Sequence, residues 1–111
     1  MKAARETDLV RQVKSYLELN GALAVRVNSG AFGGVYKGRK RFVRLNSEPG
    51  CSDLLACWDG IFLAVECKMP GERPTPAQAA FLDLVRKRGG IAGVVSDLGD
   101  VDALLNRARQ L

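Results

Sequence analysis

The sequence contains no histidine among its 111 residues. That absence excludes the Ser-His-Asp and Cys-His nucleophile systems, the usual zinc sites and every nuclease mechanism with an imidazole general base. We therefore expect any hydrolytic chemistry in this chain to use carboxylates, lysine and a metal ion.

The chain also has few cysteines and no long apolar run. Its three cysteines form no CxxC pair, which predicts buried thiols in a reducing compartment; they are Cys51, Cys57 and Cys67. No apolar stretch approaches the roughly 18 residues of a membrane span, and the charged residues 1–8 do not resemble a signal peptide. We therefore expect a cytoplasmic protein.

The residues that are present are typical of a small globular domain. Apolar residues make up 47% and charged residues 26%, which predicts one domain over residues 1–111 with a single core. Seventeen Lys and Arg against twelve Asp and Glu give a net charge of +5. This balance favours an anionic partner such as nucleic acid, although many basic proteins bind none.

The spacing of apolar residues predicts an α/β fold in the order αβββαβα, with helices flanking a mixed central sheet. Helices are predicted over residues 5–20, 76–88 and 100–110, and strands over residues 23–28, 54–58, 61–67 and 91–96. Between the first two strands we predict a glycine-rich loop over 29–34 and a basic hairpin over 35–45 that turns near Lys37-Gly38. Thr75 and Pro76 predict the start of the second helix as its cap and first residue.

The predicted strand before the second helix ends in charged residues. Side chains alternate along a strand, so residues 61, 63, 65 and 67 form one apolar face. The other face begins with Phe62 and Ala64 and ends with Glu66 and Lys68. An acid and a base therefore emerge side by side, a pattern that also fits a solvated strand end with an ordinary ion pair.

Asp53 opens the neighbouring strand, and the Asp59-Gly60 turn that joins the two strands sets their register. That register places Asp53 opposite Glu66, within one residue. Two carboxylates this close repel each other unless one is protonated or a cation lies between them, and Mg²⁺ prefers oxygen ligands. We interpret them, with Lys68, as a metal site that activates water. The alternative is a surface hairpin with charges at its open end.

Two helical residues are polar on faces that should be buried. Glu6 continues the apolar stripe of the first helix, and Gln78 shares the stripe of the second helix with Phe81 and Leu82. Both are candidates for the same site, and both also fit as ordinary first-turn residues.

A basic segment follows the first strand. Its cations are interleaved with Tyr36 and Phe42, which fits an arm that contacts nucleic-acid phosphates, and a solubilising loop is the alternative. The candidate nucleic-acid-binding residues are Arg26, Asn28, Ser29, Lys37, Arg39, Lys40, Arg41 and Arg44.

Together these residues resemble the VRR-NUC family, the virus-type replication-repair nucleases of the PD-(D/E)XK superfamily. The resemblance covers nearly the whole chain and rests on Glu6, Asn28-Ser29-Gly30, Gly50-Cys51-Ser52-Asp53, Glu66-Cys67-Lys68, Gly71 and Thr75-Pro76-Ala77-Gln78. The superfamily has proline before the aspartate, where this chain has Ser52. Because that proline makes the turn rigid and supplies no ligand, we expect the geometry to survive.

The resemblance implies a restriction-endonuclease-like core and a divalent-metal-dependent phosphodiesterase that uses Mg²⁺, with Mn²⁺ able to substitute. Asp53 and Glu66 would ligate the metal together with the backbone carbonyl of Cys67. Glu6 would complete the acidic shell, directly or through water.

The resemblance also implies roles for two further residues and a class of substrate. Lys68 would position the attacking water and stabilise charge on the phosphate, and Gln78 would hold Lys68 or the nucleophile in place. Standalone members look like phage-encoded proteins and are similar to Holliday-junction resolvases, which are homodimers. We therefore expect an endonuclease for branched DNA, of a type used in DNA repair. The alternatives are a nuclease without junction preference and a non-catalytic DNA-binding module.

Overall fold

The computed structural model describes residues 5–27, 31–36, 38–44 and 48–111, and it describes 31–36 and 40–44 by their backbone. The elements in chain order are α1 (Glu6–Leu19), β1 (Leu23–Arg26), β2 (Ala31–Tyr36), β3 (Arg39–Arg44), β4 (Leu54–Trp58), β5 (Ile61–Cys67), α2 (Pro76–Lys87), β6 (Ile91–Val95) and α3 (Leu98–Arg109).

Four of the strands form a mixed sheet in the spatial order β1-β4-β5-β6. β4 runs antiparallel to both β1 and β5, whereas β6 is parallel to β5 because α2 crosses over between them. Apart from the β2–β3 pair, the order along the chain is αβββαβα. The predicted fold class is therefore confirmed.

The segment between β1 and β4 forms a separate two-stranded hairpin, β2–β3. Gly38 lies in its turn at φ +74°, where the sequence predicts the reversal. The predicted glycine-rich loop is wrong for residues 31–34, which belong to β2. Glycine disfavours strands, but here every residue of β2 has a pairing partner on β3, and the ladder stabilises the extended backbone.

The sheet is covered unequally on its two faces. α1 and α3 pack together on one face and bury the main core, to which they contribute Leu9, Val10, Val13, Leu17, Val101, Leu104, Leu105 and Ala108. α2 packs on the other face, where Leu82 and Val85 join Ala64 and Ala92 in a smaller cluster. The alternating pattern of β5 thus separates two cores, as its sequence predicts.

Both later helices begin at side-chain caps. Thr75 caps α2 at the predicted position, and Pro76 is its first residue. α3 begins two residues earlier than predicted, because the Asp97 carboxylate accepts a hydrogen bond from the Asp100 backbone N–H at 2.9 Å.

The cysteines differ from one another in exposure. Cys51 and Cys67 are buried, but Cys57 on β4 is exposed, so the prediction of three buried thiols is wrong for Cys57. The reason is that the part of the sheet face around Cys57 lies beside α2 rather than beneath it. Over the described ranges, no helix has the length and apolar character needed to cross a membrane.

Candidate active site

The β4–β5 hairpin has the predicted register. Asp59 and Gly60 both have positive φ, 49° and 80°, as a two-residue hairpin turn of the primed type requires. Leu54 pairs with Val65, and continuing the ladder by one residue places Asp53 opposite Glu66. The turn therefore determines which two carboxylates meet at the far end of the hairpin.

Asp53 is held in place by its backbone and by its side chain. Its carbonyl oxygen accepts a hydrogen bond from the Val27 N–H at 2.8 Å, which extends the β1–β4 pairing beyond the strand ends. Its Oδ2 accepts the Cys67 N–H at 2.8 Å. One oxygen of the carboxylate thus joins β4 to β5 and fixes the orientation of the group.

Ser52 replaces the rigidity that proline would give before the aspartate. Its side chain is fully buried, and its hydroxyl donates a hydrogen bond to the Leu54 carbonyl oxygen at 3.1 Å. The bond spans Asp53, so it constrains the residue that carries the carboxylate. This local constraint explains why serine is compatible with the turn.

Gly50 allows the turn that precedes Asp53 to pack against the start of α2. Its φ is +72°, a conformation that L-residues rarely adopt. A Cβ at this position would overlap the Ala77 carbonyl group and lie 2.8 Å from the Gln78 backbone nitrogen. The backbone of the turn can therefore approach the first turn of α2 only because residue 50 has no side chain.

We predict that Gly50→Ala destabilises the protein by about 2–4 kcal/mol, since it combines a strained φ with overpacking against backbone atoms. Urea unfolding monitored by circular dichroism checks this value. Gly71→Ala is the matched control, because Gly71 also has a positive φ, +88°, but a Cβ there has open space around it. Equal losses in the two variants would mean that contact with α2 contributes nothing.

Glu66 is the most unusual group in the site. It is 1% exposed, and its Oε2 has no hydrogen-bond partner among the described residues. Burial raises the pKa of this carboxyl to about 9, and the neighbouring Asp53 carboxyl, through a hydrogen bond and its charge, contributes to the same rise. A buried carboxylate oxygen without a donor is typical of a position that binds a cation.

Glu6, Asp53 and Glu66 each place a carboxylate oxygen within 4.8 Å of the others. Glu6 is half-buried at the first position of α1. Burial raises its pKa, the positive charge of Lys68 lowers it, and the negative charge of Asp53 raises it. Three mutually repelling oxygens of this kind fit a hard divalent cation such as Mg²⁺.

Lys68 follows the end of β5 and lies among these carboxylates. Its charge lowers the pKa of both Glu6 and Glu66, and its backbone N–H donates to the Val95 carbonyl oxygen at 3.0 Å. Glu72, which the sequence pattern did not single out, also raises the pKa of Glu6. Glu72 lies between Gly71 and Thr75, two of the residues on which the family resemblance rests. That position is the signal that could have identified it.

Gln78 lies at the start of α2 in a reciprocal cap. Its Oε1 accepts the Thr75 N–H at 2.8 Å, while the Thr75 hydroxyl oxygen accepts the Gln78 N–H at 3.2 Å. The carbonyl half of the side chain is therefore used to begin the helix. Only the Nε2 donor is left for the predicted role of Gln78, which is to hold Lys68 or the nucleophile.

The predicted nucleic-acid-binding residues are only partly within the described residues. Arg26 is exposed at the end of β1. Its positive charge counteracts the rise in the pKa of Cys67, the residue that follows Glu66. Arg39 is exposed at the start of β3. Lys40, Arg41 and Arg44 lie in β3 by their backbone, and Asn28, Ser29 and Lys37 fall outside the described residues.

Comparison with known proteins finds similarity to a solved structure. No family model matches the sequence, and no curated protein matches it. A solved structure described as a VRR-NUC domain is similar, with a TM-score of 0.63 and 27% sequence identity over 93% of this chain and 97% of that chain. The match extends over nearly the whole chain. The chain therefore has the fold of a VRR-NUC domain, with the α/β core of the PD-(D/E)XK nucleases.

Proposed function

We propose that this protein is a divalent-metal-dependent endonuclease that hydrolyses DNA phosphodiester bonds and prefers branched DNA. The observation that carries the proposal is the juxtaposition of Glu6, Asp53 and Glu66 beside Lys68, with the Glu66 Oε2 buried and without a donor among the described residues. In a nuclease fold without histidine, this cluster is the group best suited to hydrolytic chemistry.

The three carboxylates would hold the metal through one oxygen each, and the Cys67 carbonyl is a further predicted ligand. The Oδ2 of Asp53 already accepts a hydrogen bond from the Cys67 N–H. The carboxylate is therefore fixed, and its other oxygen, Oδ1, is presented in one direction. A divalent cation bound here would lower the pKa of a bound water and offset charge on the scissile phosphate.

Lys68 would act on both the nucleophile and the phosphate. Its Nζ would orient the attacking water and donate hydrogen bonds to phosphate oxygens as negative charge develops on them. Lysine suits this role because its ammonium is a compact charge on a flexible stem. Gln78 would support Lys68 or the water through its Nε2.

The surface next to the cluster would bind the DNA backbone. Arg26 stands at the same end of the sheet as Asp53, since it pairs with Leu54. The β2–β3 hairpin is inserted directly after β1 and, among the described residues, pairs with no strand of the main sheet, so it would act as an arm that carries Arg39 and its basic neighbours toward phosphates.

The preference for branched DNA and assembly as a homodimer belong together. A four-way junction needs two matched cuts, and a two-fold dimer supplies two identical sites. A nuclease for linear or single-stranded DNA needs no such symmetry and is the second candidate. Both candidate functions are consistent with the family likeness and with the basic arm.

The test uses an end-labelled four-way junction and the matching linear duplex, each incubated with Mg²⁺, with Mn²⁺ or with EDTA. The proposal expects paired, metal-dependent nicks near the crossover of the junction and little cutting of the duplex. Equal cutting of both DNAs would leave a nuclease and remove the junction preference. Binding without cutting under all conditions would overturn the enzymatic proposal.

We predict that replacing Arg39, Lys40 and Arg41 with alanine lowers the salt dependence of DNA binding. The slope of log K against log salt should fall by roughly one for each phosphate that is no longer neutralised, and by up to about three in all. Fluorescence anisotropy between low and physiological salt measures it. Alanine at Lys87 and Arg88, exposed at the far end of α2, is the control. If the two variants had equal slopes, the arm would not contact DNA.

A further inference from the structure

A narrow apolar groove lies near the C-terminal end of α2, between the helix and β5. Its volume is about 330 Å³. The residues that line it come from β5, from α2 and from the turn that follows the helix; they are Phe62, Phe81, Leu84, Val85, Arg88 and Gly90. The lining is therefore apolar apart from the side chain of Arg88.

Gly90 holds the helix and the strand on either side of the groove in one arrangement. Its N–H donates to the Val85 carbonyl oxygen at 3.0 Å. A Cβ at this position would lie 2.7 Å from the Val85 Cγ1 and 3.1 Å from the Phe62 carbonyl oxygen. The turn after α2 can therefore pack against both walls only because residue 90 has no side chain. These tight contacts form the groove before any partner binds.

Two residues of the groove leave apolar surface in contact with water. Phe62 is 46% exposed and Leu84 is 43% exposed. They lie on different elements, β5 and α2, so they form opposite walls. Phe81 is half-buried beside them. Apolar walls that face each other across a concave site are suited to bury an aromatic or large aliphatic side chain of a partner.

Positive charge surrounds the end of the groove. Lys87 and Arg88 are exposed, and neither forms an ion pair with another described residue. The acidic residue of α2, Asp83, is paired with Arg86 at 2.8 Å and so does not neutralise them. The open carbonyl groups at the end of a helix carry about half a negative charge, which two cations outweigh. The groove therefore favours a ligand that is both apolar and acidic.

We propose that this groove binds an acidic segment of a partner protein. The segment inserts one aromatic or large aliphatic side chain between Phe62 and Leu84, and a neighbouring carboxylate pairs with Arg88. The apolar contact supplies buried area, and the charged contact selects acidic segments and fixes their orientation. The inference goes beyond the proposed function and does not depend on it.

The chemistry of the groove favours an acidic peptide over two other occupants. DNA is bound through rows of cations along its phosphates, whereas the lining of this groove has one cation and exposed apolar walls. A second copy of this chain would bring a further net charge of +5 to a positive surface, and its sequence contains no two adjacent acidic residues. An acidic segment with an apolar side chain matches both the walls and the charge.

The groove and the candidate active site lie at opposite ends of α2. The helix begins at Pro76, where Ala77 and Gln78 meet the turn that carries Asp53. Because α2 has 12 residues, it is about 18 Å long. A partner bound in the groove would therefore leave the carboxylate cluster accessible to DNA, and it would attach this chain to another protein without blocking the site.

The test measures the binding of a fluorescein-labelled peptide to the full chain by fluorescence anisotropy at physiological salt. The peptide consists of aspartates followed by one leucine and one phenylalanine. Wild type should bind it saturably, with a dissociation constant on the order of 10 μM. Arg88→Glu should weaken binding at least about tenfold, and Leu84→Ala about fivefold, since it removes part of one apolar wall. Both residues are exposed, so unfolding in urea should show an intact fold.

Each variant has a matched control on the same chain. Lys87→Glu makes the same change in net charge as Arg88→Glu at the adjacent residue, but Lys87 does not line the groove. It should weaken binding by about twofold at most, because salt screens charges that are not in contact. Leu98→Ala removes an equally large side chain that is 37% exposed at the start of α3, and it should bind like wild type. Equal losses within either pair would overturn the proposal.

Two altered peptides and a DNA duplex complete the test. Alanines in place of the leucine and phenylalanine should weaken binding at least about tenfold, and lysines in place of the aspartates should abolish it. Undiminished binding of either altered peptide, or no binding of the acidic peptide, would overturn the proposal. Displacement of the acidic peptide by a short DNA duplex would assign the surface to nucleic acid instead. DNA nicking by Arg88→Glu should match wild type, so loss of the groove and loss of the nuclease are separate results.

Discussion

Replacing Lys68 with alanine is expected to lower the rate of DNA cleavage by roughly 10²–10³-fold, the usual cost of removing one donor to a developing negative charge. DNA affinity should change little. Lys68 lies among the carboxylates, where its charge lowers the pKa of both Glu6 and Glu66. Its contribution would thus be concentrated at the reacting phosphate, while the proposed arm and Arg26 would supply most of the binding.

Single-turnover cleavage with Mg²⁺ and DNA binding in EDTA measure the two effects separately. Lys87→Ala is the matched control, because it removes an exposed lysine at the far end of α2 and should leave both quantities near their wild-type values. Lys68→Arg keeps the charge but changes the shape of the donor, so only partial recovery is expected. Equal reductions of cleavage and affinity in Lys68→Ala would make Lys68 a simple phosphate-binding residue.

The centre of this site was predictable because its geometry is local. The Asp59-Gly60 turn allows one register, and that register alone brings Asp53 to Glu66. Strand alternation then places Lys68 on the same side as Glu66. Glu6 comes from a helix distant in the sequence, and its polar position on an apolar stripe was enough to nominate it.

Other features were not predictable because they depend on contacts between distant segments. The close approach of Gly50 to Ala77 joins a turn to a helix that begins 26 residues later, and nothing near Gly50 in the sequence indicates it. The exposure of Cys57 follows from the width of the area that α2 covers. The strand over residues 31–34 was missed because glycine has low strand propensity and the hairpin partner decides its conformation.

Replacing Glu66 with glutamine is expected to abolish metal-dependent cleavage and, at the same time, to stabilise the metal-free protein at neutral and alkaline pH. The first effect follows from the loss of a charged metal ligand. The second follows from burial, which raises the pKa of Glu66 from an ordinary value of 4.5 to about 9. Glutamine is neutral throughout this range and avoids the cost of ionising a buried group.

The sign of the pH dependence is fixed by the direction of that pKa change. Below pH 4.5 the carboxyl is protonated in both the folded and unfolded chain, so its stabilising contribution is fully present. As the pH rises toward 9, the unfolded chain releases the proton while the folded chain retains it, and the free energy of unfolding falls by up to about 1.4 kcal/mol per pH unit. Above pH 9 the folded chain ionises as well and the loss levels off.

Urea unfolding of wild type and Glu66→Gln in EDTA at pH 5, 7 and 8.5 tests this expectation. The two proteins should be nearly equal at pH 5, and the variant should be progressively the more stable at higher pH. Glu18→Gln, which removes an exposed carboxylate paired with Lys14 at 3.1 Å, should follow the wild-type curve. Parallel curves for wild type and Glu66→Gln would show that Glu66 is ionised without metal.

Adding Mg²⁺ should reverse the order of the two proteins. A cation that binds the folded state stabilises it in proportion to the logarithm of its concentration above the dissociation constant, and it would bind ionised Glu66 in wild type but not the amide in the variant. Wild type should therefore gain stability with Mg²⁺, most strongly where ionising Glu66 costs least, at alkaline pH. Glu66 would then weaken the metal-free fold and also couple metal binding to stability. This double role accounts for a carboxylate that is 1% exposed and whose Oε2 has no donor among the described residues.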